Sequence, residues 1–311
     1  MEISLLLGEQ IVSLFLIGVV GYAIVKIGLL TAEDSQILSK LCVYIFSPCV
    51  IIKSFQIEFT EDKLKGLLLA MAVSVVAHII FIGSMRLGMK PLDFNRVERA
   101  SIIYSNSGNL IIPLVSATFG PEWVFYTSAF SMVQTVLVWT HGKALICRTG
   151  EKESIAKIIT NPNIIAMMAG VIMFAGNIRF PAILDSTISG LGNMIGATSM
   201  LVIGMLIGNM DLGWVFRQKR IYLICFFRLI VMPMLCILFI KVTGAAYMVP
   251  DGRTIMLIVT LACASSAAAM VTQLAQVFGG DARYASVINV MSVIFCVVTM
   301  PLMVLFYEMI V

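Results

Sequence analysis

Ten apolar stretches, each close to the length of a membrane-crossing helix, run through this chain with very little between them. They lie near residues 8–29, 36–56, 66–86, 99–120, 122–143, 162–179, 187–209, 220–242, 254–278 and 284–307. A helix needs about 20 apolar residues to cross the hydrocarbon core, so the tails and connections average about seven residues and hold no soluble domain. Of the 311 residues, 60% are apolar and 12% charged, against roughly 45–50% and 25% in soluble domains. These proportions exclude a cytosolic enzyme, a disordered chain and a secreted disulfide scaffold, and predict an all-α polytopic membrane protein.

Lys and Arg set the orientation. Fourteen of the 21 fall in connections on one face, six on the other, and Arg228 lies inside a span. The crowded face is expected to be cytoplasmic, with both termini outside a cell (inner) membrane. The net charge of +4 is then a topology signal, with membrane lipids rather than nucleic acid as partners. Met1-Glu2-Ile3 opens without a basic stretch, so a retained first span is expected. The seven cysteines form no CxxC pair and read as small packing residues.

The longest polar connection, Arg148 to Thr160, divides the spans five and five, and Asn161-Pro162 after it is a helix start. Five is odd, so residues 151–311 enter the membrane from the side opposite to residues 1–150, the arithmetic of an inverted repeat. A trace of it survives. Phe119-Gly120-Pro121-Glu122 with Tyr126-Thr127-Ser128 answers to Phe278-Gly279-Gly280-Asp281 with Tyr284-Ala285-Ser286.

Two spans are polar near mid-depth. The fourth contains Ser105, Asn106, Ser107, Gly108 and Asn109, followed by Pro113; the ninth contains Ser265, Ser266, Thr272 and Gln273 among alanines. Such groups must face protein or water. If both helices are broken there, their half-helix N-termini, each carrying partial positive charge, favour an anion. Neither run contains Asp or Glu, so the carboxylate pair of a cation antiporter is missing.

Arg228 and His78 lie at matching depths in the two halves. Arg228 either pins the half-helices electrostatically or touches the anion, and His78 is expected to be neutral and bonded to a neighbouring helix. Gln134, Thr135, Asn289 and Ser292 are read as bonding between helices rather than bordering a cavity. Gly204 with Gly208 and Gly192 with Gly196 suit either packing inside one subunit or a homodimer face. Pro48, Pro233 and Pro301 read as ordinary kinks. No metal motif, paired aspartates or serine-histidine arrangement sits at consistent depth, so no enzyme and no cofactor is expected.

Gly21-Tyr22, Gly28-Leu29-Leu30, Ser47-Pro48, Asn106 through Pro113, Asn161-Pro162, Gly204, Arg228 with Pro233, Ala275 to Asp281 and Ser292 through Pro301 stand in an order that resembles the auxin efflux carrier family. These carriers are grouped with bile-acid, arsenite and riboflavin transporters. The resemblance implies ten helices in two inverted five-helix repeats, a sodium/proton antiporter-like fold with helices four and nine broken and crossing. It also implies a homodimerising scaffold from helices one, two, six and seven, and a moving transport domain from helices 3–5 and 8–10. Asn106 and Pro113 match the first crossover; near Val271, where the plant pattern has a proline, this chain has none.

The expectation is therefore a transporter of small organic anions such as malate, malonate or auxin-like acids, working by alternating access. The coupling ion, H+ or Na+, stays open. The alternatives are a sodium-coupled acid symporter of the bile-acid type and a receptor that binds without transporting.

Overall fold

The computed structural model describes residues 2–87, 92–146, 160, 162–278 and 280–311, without the side chains of 2–11, 109, 212, 214, 215, 273, 276 and 277. Cys147, most of the Arg148–Thr160 connection, Asn161 and Gly279 thus lie outside the described residues.

The regular secondary structure of the described residues is helical, apart from one isolated β-bridge. In order come α1 (Glu2–Lys26), α2 (Ser35–Ser54), α3 (Glu61–Leu87), α4 (Arg96–Ile103) and α5 (Ile112–Thr118), the last entered through a π turn at Ser107–Ile111. Then come α6 (Val124–Leu137), which continues through a π turn (Val138–Gly142), α7 (Pro162–Ala175), α8 (Ala182–Gly208) and α9 (Lys219–Thr243). The chain closes with α10 (Gly252–Ala264), α11 (Ala269–Val277) and α12 (Ala282–Ile310).

Each of the ten apolar stretches is occupied by helix. Among the described residues five helices, α2, α3, α8, α9 and α12, are long and apolar enough to cross a membrane. Large apolar side chains stand on the outside of the bundle, with Ile183 85% and Val242 77% exposed. In water this surface would be costly; in lipid, where backbone groups must bond within the helix, it is what a spanning bundle presents. The protein is an all-α polytopic membrane protein.

Small residues decide the closest contacts. A Cβ on Gly204 would lie 1.9 Å from the Gly18 carbonyl oxygen of α1, and one on Gly21 would lie 2.4 Å from the Leu201 carbonyl. Gly208 meets Val25, and Gly192 meets Val50 of α2. The small-xxx-small residues of α8 are thus used within the chain, bringing backbone against backbone. The six described cysteines are free.

The basic ends of α4, α9 and α12 are tied by Glu98, which is 2% exposed. Its side chain closes a capping box with Asn95, accepts from Arg220 at 2.9 and 3.0 Å, and accepts from the Tyr284 hydroxyl at 2.9 Å. A carboxylate at the start of a helix also meets the favourable end of its dipole. Burial opposes ionisation of Glu98, but the bonds from Arg220, Asn95 and Tyr284 outweigh it and hold the carboxyl below its ordinary range.

Candidate functional site at the helix crossing

Both polar runs interrupt their helices. α4 ends at Ile103 and helical turns resume at Ser107; α10 ends at Ala264 and α11 begins at Ala269. The two extended links cross antiparallel, Ser105 opposite Ala267. The Asn106 amide donates to the Ser266 carbonyl at 2.8 Å, and the Ala268 amide donates to the Tyr104 carbonyl at 3.0 Å. The second break needs neither proline nor glycine, because Ser265 and Ala268 adopt ordinary extended backbone and tertiary partners take the freed polar groups.

Those partners come from α6, α9 and α12. Gln134 receives the Ser105 amide and hydroxyl, both at 2.8 Å, and donates to the Ser105 carbonyl at 2.7 Å and the Ser107 hydroxyl at 3.1 Å. Across the crossing, Ser292 Oγ accepts from the Ala267 amide at 2.9 Å and Asn289 donates to the Ala267 carbonyl. These residues bond to the crossing itself, and Gln134, Thr135 and Asn289 also border the cavities beside it, which the sequence reading did not expect. Thr135 instead bonds the Ser131 carbonyl of its own helix.

Arg228, from a π turn in α9 (Phe227–Val231), is fully buried. Its Nε donates to Ser265 O at 3.0 Å, Nη1 to Ile102 O at 2.9 Å and Ile103 O at 3.3 Å, and Nη2 to Cys263 O at 2.7 Å. These carbonyls are the C-terminal ends of α4 and α10, where helix dipoles are negative and carbonyls lack intrahelical donors. One guanidinium caps both. It lines neither cavity described below, so the pinning role fits its contacts and direct contact with a solute there does not.

His78 is fully buried on α3 and packs on Phe130. Its Nδ1 lies 2.7 Å from the Ser74 carbonyl of its own helix, and Nε2 has no hydrogen-bond partner. The bond within hydrogen-bond distance is an i−4 bond inside α3, and from the neighbouring helix α6 the Gln134 carboxamide also acts on the ring. Only an N–H can bond a carbonyl, so Nδ1 carries the proton.

Two small cavities flank the crossing. One, of about 120 Å³, is lined by Ser105, Asn106, Ser107 and Gly108, by Ala268, Ala269 and Met270, and by Ser47, Ser131, Gln134, Thr135 and Asn163. The other, of about 180 Å³, is lined by Ser39, Cys42, Ser199, Thr272, Ser286 and Asn289. Asn106 and Ala269 border both. The first therefore receives the starts of both half-helices, whose leading N–H groups have no intrahelical acceptor. No charged side chain lines either cavity among the described residues.

The expected site residues thus separate. Asn106, Ser107, Gly108 and Thr272 line the cavities. Ser265 and Ser266 are fully buried and line neither, their hydroxyls without partners. Pro113 packs in α5 near Gly196, away from both. The side chains of Asn109 and Gln273 lie outside those described. Ser39, Ser131 and Asn163 did not stand out in the sequence, and Ser47 stood out only beside Pro48 as part of the family resemblance. A signal was present: Ser39, Val43, Ser47 and Ile51 follow one another at four-residue spacing along one stripe of α2.

An all-helical membrane bundle whose two broken helices cross in the buried interior, with polar cavities at the crossing, has the form of a solute carrier. A family model described as "Membrane transport protein" matches residues 6–304, and the chain belongs to that family, the auxin efflux carriers. No curated protein matches the sequence. The family is one of transporters rather than enzymes, and among the described residues no cluster of His, Cys, Asp and Glu is arranged to hold a metal ion.

Proposed function

We propose that this protein is a secondary or potential-driven transporter of small organic anions, with the solute held where the starts of α5 and α11 meet. The observation that carries this reading is the cavity bounded by Ser107 and Ala269: two helix N-termini, hydroxyls and carboxamides, and no carboxylate. Each helix start is worth roughly half a positive charge, so an anion is favoured without a cationic side chain. Asn106, Ser107 and Gly108 bind on one side and Thr272 on the other. Size favours a short carboxylate such as malonate over a bulky auxin-like acid, since a cavity of roughly 150 Å³ is filled by one benzene ring.

In this reading the ten helical stretches are ten crossings in two inverted halves, 1–150 and 151–311, with both termini extracytoplasmic. Helices 3–5 and 8–10 move as a transport domain against a scaffold of helices 1, 2, 6 and 7 that dimerises. The bonds that Gln134 supplies on one side of the crossing, and Asn289 with Ser292 on the other, support a repeat. A sodium-coupled acid symporter is the rival. Carbonyls at half-helix C-termini are natural sodium ligands, and here Arg228 takes four of them, which favours sodium-independent flux.

Uptake of radiolabelled malonate and related short carboxylates into proteoliposomes tests the proposal. Transport is expected without sodium and is expected to fall at least tenfold, about 1.4 kcal/mol of lost binding, in Asn106→Ala. Carboxylate binding with no flux would identify a receptor, and flux that requires sodium would restore the rival.

A further inference from the structure

The first half of the broken helix, α4, hands over to the crossing at Tyr104, a fully buried residue whose carbonyl accepts from the Ala268 amide. Its hydroxyl reaches the other way, to the π turn after α6. There the Tyr104 Oη lies 2.8 Å from His141 Nδ1 and 3.1 Å from the Leu137 carbonyl oxygen. Gly142 makes the approach possible, since a Cβ at that position would lie 2.9 Å from the Tyr104 ring. Such π turns inside α-helical segments recur at functional sites.

The chemistry of this trio is two-sided. A phenol has one proton to donate and can also accept. With His141 neutral, the Tyr104 hydroxyl donates to Nδ1. With His141 protonated, Nδ1–H donates to Oη, and the hydroxyl turns to the Leu137 carbonyl. Neither state leaves the Tyr104 hydroxyl or His141 Nδ1 without a partner, which is what makes a proton tolerable in a half-buried place. A tyrosine held only for packing needs one acceptor; this one has two, matched to the two states of an imidazole.

We propose that His141 is a proton-binding site whose state is carried to the helix crossing by Tyr104. The consequence for transport, a rate that follows pH, rests on the function proposed above; the proton site and its link to the crossing do not. Arg86 from α3 acts on His141 electrostatically, Tyr104 faces it from α4, and Lys143 follows on its own segment. α11, which packs against the same turn, contains no titratable residue. The other histidine, His78, has its Nδ1 committed to Ser74 in the interior.

The chain has two histidines, so in the full protein labelled with 15N-histidine and 15N-alanine in lipid nanodiscs the imidazoles are assigned by His141→Gln and the Ala268 amide by Ala268→Ser. One imidazole is expected to titrate within the pH range over which the protein stays folded, to vanish in His141→Gln, and to be followed at the same midpoint by the Ala268 amide. In Tyr104→Phe the imidazole should still titrate while the Ala268 response is lost. The proposal is overturned if His141 holds one protonation state across that range, if the Ala268 amide ignores it in the unaltered protein, or if Tyr104→Phe leaves the coupling intact. If the coupling is present but no solute is carried at any pH, the transport reading fails and the proton site stands.

Discussion

Ser105 and Ala267 face each other as an antiparallel pair, and each has its outward amide and carbonyl taken by side chains of another helix, α6 for Ser105 and α12 for Ala267. Gln134 serves both groups of Ser105; Ser292 and Asn289 divide the task at Ala267. Gln134 and Ser292 each stand eight residues beyond a tyrosine, Tyr126 and Tyr284. A helix can be interrupted in oil only where its freed backbone finds partners, and here each break finds them on another helix.

Gln134→Leu should therefore unfasten the first break. It leaves the buried Ser105 amide and carbonyl without partners, at a cost of about 1–3 kcal/mol for each group. Thermal unfolding in detergent should show a clear loss of stability. An unchanged midpoint would mean that water serves Ser105 as well as the carboxamide does.

Arg228→Met should be more damaging than Arg228→Lys. The methionine leaves four buried carbonyls with no donor, for which a loss of at least about 3 kcal/mol is expected. Lysine keeps the charge but lacks the planar fork. Equal unfolding midpoints for the two variants would show that charge alone, and not the distribution of donors, holds the half-helices.

Packing makes a contrast among glycines. Gly204→Ala places a methyl group 1.9 Å from the Gly18 carbonyl oxygen, so α1 and α8 must separate, and overpacking of this kind costs about 1–3 kcal/mol or more. Gly83→Ala, on α3 with open space at its Cβ, should gain up to about 1 kcal/mol from helix propensity. Parallel melting curves check both signs; a Gly204→Ala protein as stable as the parent would refute the close seam.

The Glu98 cluster gives a pH signature. Its carboxyl is held below the ordinary glutamate value of 4.5, so the folded state binds fewer protons than the unfolded one near that pH. The stabilisation is present above 4.5 and is lost as pH falls through the lower folded value. Glu98→Gln should be less stable than the parent at neutral pH and should approach it under acid conditions. A stability difference that is flat with pH would remove the ionised Glu98 from the account.

The sequence by itself determined the solvent and the secondary structure: 60% apolar residues in ten helix-length stretches leave lipid as the only medium in which the chain can fold. It also located the first break, since Gly108 and Pro113 flank polar side chains there. The rest was decided in three dimensions. The second break, at Ser265–Ala268, carries no proline or glycine; it exists because Arg228, Asn289 and Ser292 reach it from other helices. The same geometry sends Ser265 and Ser266 behind the crossing, brings Ser47 and Asn163 into the cavity, and sets His141 against Tyr104. A residue's own polarity says that it needs a partner, but which partner it finds depends on how distant helices pack.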